Sequence, residues 1–524
     1  MSLKKNIVAN YFGQGWQALM SLAFVPLYIK YLGIEAYGLI GIFALLQAWL
    51  ALLDMGMKPA LGREMARFTG GAHNAQSIRD LLRSVEVIGI AMAGGVALGV
   101  WGASGWLASH WVTAKHLPVG VVAHAFAVMG VVTALRFIED IYGSSIAGLQ
   151  RQVLQNIMIS IMATVRGLGA VALLAWVSPT IGAYFLWQGL LSVITVALSA
   201  GIVYCALPRA PLPARFSRPA LIGIRRFAVG MMAIIFLSLL LTQVDKILLS
   251  RLLTLESFAY YALAGSVASR LCVLTGPITA AFYPRFTELA ANGDEVALRG
   301  VYHQGAQLVT VLMGSAAIVL TVFGDRVLRL WTGDPALAQK VAPLMAVLAL
   351  GTLFNGLMWI PYQMQLAHGW TSLTIKVNIV AVSILVPAII LAVPAYGAIG
   401  AARIWVTLNA GYLMFEIPLM HRRLLRAEMW RWYCQDVAAP LTAAAAAAFL
   451  CRWLMPHDLS KFGEFSVLLM TASAVVIAAA LAAPIMRRQA ARHLPRTITV
   501  LPLRGPRSGP WMSAISCPND QDKT

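Results

Sequence analysis

Three arginines interrupt apolar runs in which charge is out of place: Arg166 in ATVRGLGA, Arg270 in SVASRLCV and Arg403 in GAARIWV. A guanidinium near the middle of a membrane-spanning helix costs at least about 2.5 kcal/mol on insertion scales, so each needs a partner or a task. One reading pairs them with Asp245, Glu416 or backbone carbonyls. The other has them bind an anion in an internal cavity, for which a planar fork of five donors is suited. Asp245, beside Lys246, is either an arginine partner or a proton or cation site. Asn10, Gln14, Gln17 and Ser21 recur at i, i+4, i+7 and i+11, and Ser238, Thr242 and Asp245 at i, i+4 and i+7, which puts each set on one helix face. Such stripes line a wet lumen or hydrogen-bond between helices. Glu139 and Asp140 are adjacent and so point apart; with Asp54, Glu86 and Arg136 they read as solvated helix ends.

The elements that must hold these groups are membrane helices. The chain has 524 residues, of which 59% are hydrophobic and 12% charged, against about 25% charged in soluble domains. Its mean hydropathy is +0.75. These values predict an all-α polytopic membrane protein. Fourteen apolar runs, the first at 9–29 and the last at 465–485, are long enough to cross about 30 Å of hydrocarbon. The start, MSLKKNIVANYFGQGW, has no small-residue cleavage site and reads as a retained first helix. Arg166 and Arg270 each lie about thirteen residues into their helices, roughly 20 Å from the starting face at 1.5 Å per residue. Arg403 lies nearer the outer end.

Charge is distributed by connector. The N-terminus and the even-numbered connectors hold most of the basic residues, among them Lys4, Lys5, Arg63, Arg67, Arg79, Arg209, Arg215 and Arg225, while the odd ones hold few. The positive-inside rule then places both termini in the cytoplasm. The net charge of +19 reflects orientation and anionic headgroups rather than nucleic acid. The basic, Pro-rich connector 208–226 separates a six-helix bundle at 1–207 from a second at 227–420. Two additional helices follow at 421–485, then a basic tail at 486–524 with the composition of a disordered segment. Placing Lys30 on Arg251 lays KYLGIEAYGLIG over RLLTLESFAYYA, aligning Glu35 with Glu256 and Ser21 with Thr242, so the two bundles are expected to be pseudo-symmetric.

Five scattered cysteines without a CxxC pair argue against a disulfide framework or a metal site. No Gly-rich phosphate loop, HExxH or GxSxG elbow is present, and neither an enzyme nor a cofactor is expected.

The segments VPLYIKYLGIEAYGLIGI (25–42) with LDMGM (53–57), TQVDKILLSRL (242–252) with YYALA (260–264), FYPRFTELAANGD (282–294), LWTG (330–333) and PAYGAIGAARIW (394–405) occur in this order along most of the chain. In them the chain resembles the Wzx-type polysaccharide flippases of the multidrug/oligosaccharidyl-lipid/polysaccharide (MOP) exporter superfamily. The resemblance implies a MATE-like fold: two six-helix bundles around a central cavity, two further helices, and alternating access. It also implies transport of undecaprenyl-pyrophosphate-linked oligosaccharide across a bacterial inner membrane for O-antigen or exopolysaccharide synthesis. Membrane lipids and other polysaccharide-assembly proteins are the implied partners. Arg166, Arg270, Arg403, Gln14, Gln17 and Thr242 would then contact substrate, with Arg166 and Arg270 as the pyrophosphate site and Asp245 in coupling or charge balance. A cation-coupled multidrug antiporter is the alternative, disfavoured by three buried arginines. A membrane-embedded sugar transferase or polymerase would need a large external loop or catalytic acids in one.

Overall fold

The computed structural model describes residues 3–493 other than 55, 70–72, 371 and 457–459. The tail beyond 493 and the side chains of Asn10 and Ser238 lie outside the described residues. Among those described, helices carry the fold, and the single extended pairing is a bridge between Thr113 and Thr254. In order they are α1 (Leu3–Ala23), α2 (Val25–Leu32), α3 (Ile34–Leu53), α4 (Met57–Thr69), α5 (Ala75–Trp106), α6 (Val119–Gly148), α7 (Gln152–Trp176) and α8 (Ile181–Ala206). After the connector come α9 (Arg218–Leu252), α10 (Leu255–Ser269), α11 (Leu271–Asn292), α12 (Glu295–Val309), α13 (Ser315–Thr332), α14 (Pro335–Leu357), α15 (Trp359–Ala367), α16 (Ser372–Gly411) and α17 (Ile417–Leu424). The chain ends in α18 (Met429–Arg431), α19 (Ala439–Leu454), α20 (Lys461–Ala482) and α21 (Pro484–His493).

Ten segments among the described residues are long and apolar enough to cross a membrane. Fourteen were expected from the sequence. The stretch Ser372–Leu424 counts once, although Gly397, at φ +60° and ψ −149°, breaks it where two runs were expected to meet. That conformation is open essentially to glycine alone. Gly33 ends α2 at φ +82°, its N–H bonded to Ile29 O at 2.9 Å.

Successive spanning segments, some made of two of these helices end to end, run in opposite directions, so one end of the molecule gathers the turns at Gly33, 107–118, Leu253–Thr254 and Gly333. The other end gathers α4 and the connector 207–217, and is here called the basic end. α4, expected as part of a loop, is a short helix whose Met57, Ala60, Leu61, Glu64 and Met65 are buried. It lies so close to α6 that a Cβ on Gly148 would stand 2.2 Å from Gly62 O. Backbone cannot yield as a side chain can, so Gly148→Ala is expected to cost about 1–3 kcal/mol. Gly99→Ala, with nothing within 4 Å, is the neutral control. Thermal melts of the two purified variants check this, and equal melting points would refute the close packing.

The connector is fastened rather than loose. Gln76, Asp80 and Ser84, one turn apart along α5, accept the backbone N–H groups of Leu212 at 3.3 Å, Arg215 at 2.8 Å and Ser217 at 2.7 Å. Arg79 donates to the Pro208 and Leu207 carbonyls. The side chain of Ser217 then caps α9.

Candidate functional site

Arg166 is set in α7 by its neighbours in RGLG. Gly167 and Gly169 have no side chain to exclude the Phe24 and Trp187 rings, against which a Cβ would stand at 2.0 Å in each case. Trp187 Nε1 donates to Arg166 O at 3.2 Å. The guanidinium Nη2 donates to Glu139 Oε2 at 2.8 Å and to Thr195 Oγ1 at 3.3 Å. The expected partners are engaged elsewhere: Asp245 accepts the Tyr261 hydroxyl at 2.8 Å, and Glu416 accepts the Gln365 amide at 3.0 Å and the Thr374 hydroxyl at 3.2 Å.

The solvated-end reading is therefore corrected for Glu139, while Asp140 is exposed as expected. Glu139 is an ion-pair partner, while Asp140, pointing the other way, binds Lys58 at 3.0 Å. Asp54 and Glu86 are also buried, Asp54 accepting Gly56 N–H and Glu86 the hydroxyls of Tyr142 and Tyr204. Arg136 was missed as a site residue. It lies one turn before Glu139, donates to Gln188 Oε1 at 2.9 Å and to the Gln47 amide, and stacks over Phe43 at 5.3 Å. Its spacing from Glu139 was the available signal, because i and i+3 share a helix face. Two guanidiniums thus share one nearby carboxylate. Around them Arg166 Nε, Thr133 Oγ1 and Ser192 Oγ are buried with no hydrogen-bond partner among the described residues.

Arg270 occupies a break in its helix, ending α10 and starting α11. Its Nη2 donates to Ser21 Oγ at 2.7 Å, from the second set of helices to the first. No acid pairs with it among the described residues, and its buried Nε is without a partner. Ser21 shares its face with Gln14 and Gln17, which are exposed, so this stripe looks toward the other set of helices. Thr242 is exposed, and its carbonyl accepts Lys246 Nζ at 3.1 Å. Asp245 Oδ1 is buried without a partner. Arg403 is exposed on α16 and makes no ion pair among the described residues, apart from both guanidinium sites in its contacts.

At the turn end the two sets of helices are in contact. Leu255 N–H donates to Thr113 O at 2.9 Å and Trp111 Nε1 to Ser250 Oγ at 3.1 Å. A Cβ on Gly38 would stand 2.8 Å from Leu255 O, and one on Gly41 3.1 Å from Ala262 Cβ. Glu35 holds the 112–118 loop by accepting the N–H groups of Lys115, His116 at 2.9 Å and Leu117 at 3.1 Å. Its counterpart under the repeat, Glu256, takes Lys340 at 3.3 Å. Glu35 thus holds the backbone of a connector, whereas Glu256 holds a side chain on α14.

Comparisons with known proteins agree with this architecture. The family model described as polysaccharide biosynthesis protein matches residues 3–290. A Shigella flexneri protein described as a candidate O-antigen transporter is 21% identical over 410 residues, covering 77% of this chain and 94% of that protein. Among solved structures, the lipid II flippase MurJ in an inward closed conformation superposes with a TM-score of 0.66 at 12% identity, over 93% of this chain and 99% of that one. An inward-facing multidrug resistance transporter of the MATE family, within the MOP superfamily, gives 0.61 at 13% identity over 79% and 96%. These likenesses show a multi-pass transporter fold, and the relatives are transporters and flippases rather than enzymes.

Proposed function

The chain belongs to the polysaccharide biosynthesis protein family, and from that premise we propose that it is a flippase for lipid-linked oligosaccharide. It carries undecaprenyl-pyrophosphate-linked glycan from the cytoplasmic to the periplasmic leaflet of a bacterial inner membrane by alternating access between two helix bundles, 1–207 and 227–420. The connector charges put the basic end and both termini in the cytoplasm. The turn end is then periplasmic and sealed, and the substrate path opens inward.

One observation carries the reading: guanidiniums within spanning helices outnumber the acids that pair with them, and one of them, Arg270, sits at a helix break and, among the described residues, is bonded to a serine of the opposite set and to no acid. A diphosphate takes up such forks in paired hydrogen bonds, and the exposed Gln14 and Gln17 can meet sugar hydroxyls. Asp245, with one unpartnered oxygen, favours a cation antiporter, but one acid is outweighed by Arg136, Arg166 and Arg270.

Because Arg270 has no acid partner to strand, Arg270→Ala is expected to keep membrane abundance near normal and reduce surface glycan at least tenfold, with Arg270→Lys intermediate. Lipid-linked oligosaccharide should accumulate on the cytoplasmic leaflet, as in a deletion strain. Normal surface glycan from Arg270→Ala would reject the assignment of this arginine.

A further inference from the structure

Resting on the flippase reading, we infer that Glu139 is a resident counter-ion that the substrate's diphosphate displaces from a two-guanidinium site formed by Arg136 and Arg166. The site is built by α3, α6, α7 and α8. Arg166 reaches Glu139 at 2.8 Å. Arg136, one turn earlier on α6, is held by two neutral amides, Gln47 and Gln188, and by the Phe43 ring. Amides and an aromatic face hold a guanidinium in place without neutralising it, so the site carries a surplus positive charge.

The donors are also unbalanced. Arg166 Nε, Thr133 Oγ1 and Ser192 Oγ are buried and lack partners among the described residues, whereas buried polar atoms are as a rule bonded. Thr133 precedes Arg136 by three residues, and Ser192 lies between Gln188 and Thr195 at helical spacing, so all of them face the same site. A ligand rich in acceptor oxygens and carrying more than one negative charge answers both imbalances; one carboxylate answers neither. Glu139 keeps a quarter of its side-chain surface accessible, against 14% for Arg166, so its carboxylate can turn to water when an anion takes its place. Until then it offsets one of two cations that would otherwise repel each other.

The distinguishing consequence is a gain of affinity. Binding of inorganic pyrophosphate to the purified full chain is measured by titration calorimetry, with inorganic phosphate as the charge control. Glu139→Gln, which removes the competitor but keeps its shape, is expected to bind pyrophosphate at least tenfold more tightly than wild type. Arg136→Gln is expected to bind at least tenfold more weakly, with Arg136→Lys in between, melting curves confirming that each variant is folded. Unchanged or weaker binding by Glu139→Gln overturns the inference. Binding that ignores Arg136 and Glu139 but is lost in Arg270→Ala also overturns it, while leaving the flippase reading in place. Absence of pyrophosphate binding in wild type counts against both.

Discussion

Joining Thr113→Cys to Thr254→Cys by a disulfide is expected to stop glycan export and to let it resume on reduction. The two residues form the bridge between the loop ahead of α6 and the start of α10, with Leu255 N–H on Thr113 O at 2.9 Å. The bridge is parallel, and neighbouring strands lie about 5 Å apart, within the Cα range a disulfide spans. Under alternating access this contact must break once per cycle, so a covalent tie here holds the protein open to one side only. The effect should approach complete loss, because the tie blocks a step rather than weakening a contact. The measurement is surface glycan before and after a membrane-permeant reductant, in a background whose native cysteines are replaced. Cross-linked protein that still exports would show that the turn end does not open.

The largest stability effect is expected at His303. Its ring lies between Asp436, at Nδ1, and Glu428, 2.9 Å from Nε2, and both His303 and Asp436 are fully buried. Among the described residues Asp436 is otherwise bonded only to the Gln307 amide at 2.8 Å, whose oxygen in turn accepts Ile485 N–H at 2.9 Å. This chain of bonds fastens the segment 428–436, which leads into α19, and α21 to α12. His303→Ala leaves a buried carboxylate without its partner, and removing one member of such a pair costs about 3–5 kcal/mol. Replacing both members by leucine removes the stranded charge as well and should recover most of the loss. Melting of the detergent-purified variants decides. A single variant as stable as wild type would mean that the last helices are held by their apolar contacts alone.

Much of the fold was legible because membrane helices announce themselves. The breaks at Gly33 and Gly397 fall where the apolar runs end, and both glycines take backbone angles closed to other residues. The α4 helix was hidden because its buried face, Met57 to Met65, is only a few turns long and carries Lys58 and Glu64. At the site, the residue types were readable but not their pairing. Glu139 lies on a different helix from Arg166, and no periodicity within one helix says which residues of another it will meet. The prediction that Glu139 and Asp140 point apart was sound; each of them found its own cation. The break at Arg270 had no proline or glycine to mark it. The Arg270 guanidinium meets Ser21 on the opposite set of helices, a contact that local sequence does not encode.

The fastened connector has a mechanical consequence. Leu212, Arg215 and Ser217 are fixed to α5, and Ile224 in the first turns of α9 is buried against the same set of helices, so no loose linker is left to absorb motion between the two sets. That helix is 35 residues long, a lever of about 52 Å at 1.5 Å per residue. A tilt of about 10° at the fulcrum sweeps its far tip, at Leu252, through about 9 Å, by the same rise per residue. The tip stands beside the Thr113–Thr254 bridge. Under the proposed alternating access, a small rotation at the basic end would become a wide displacement at the turn end, while contacts near the fulcrum would barely slide.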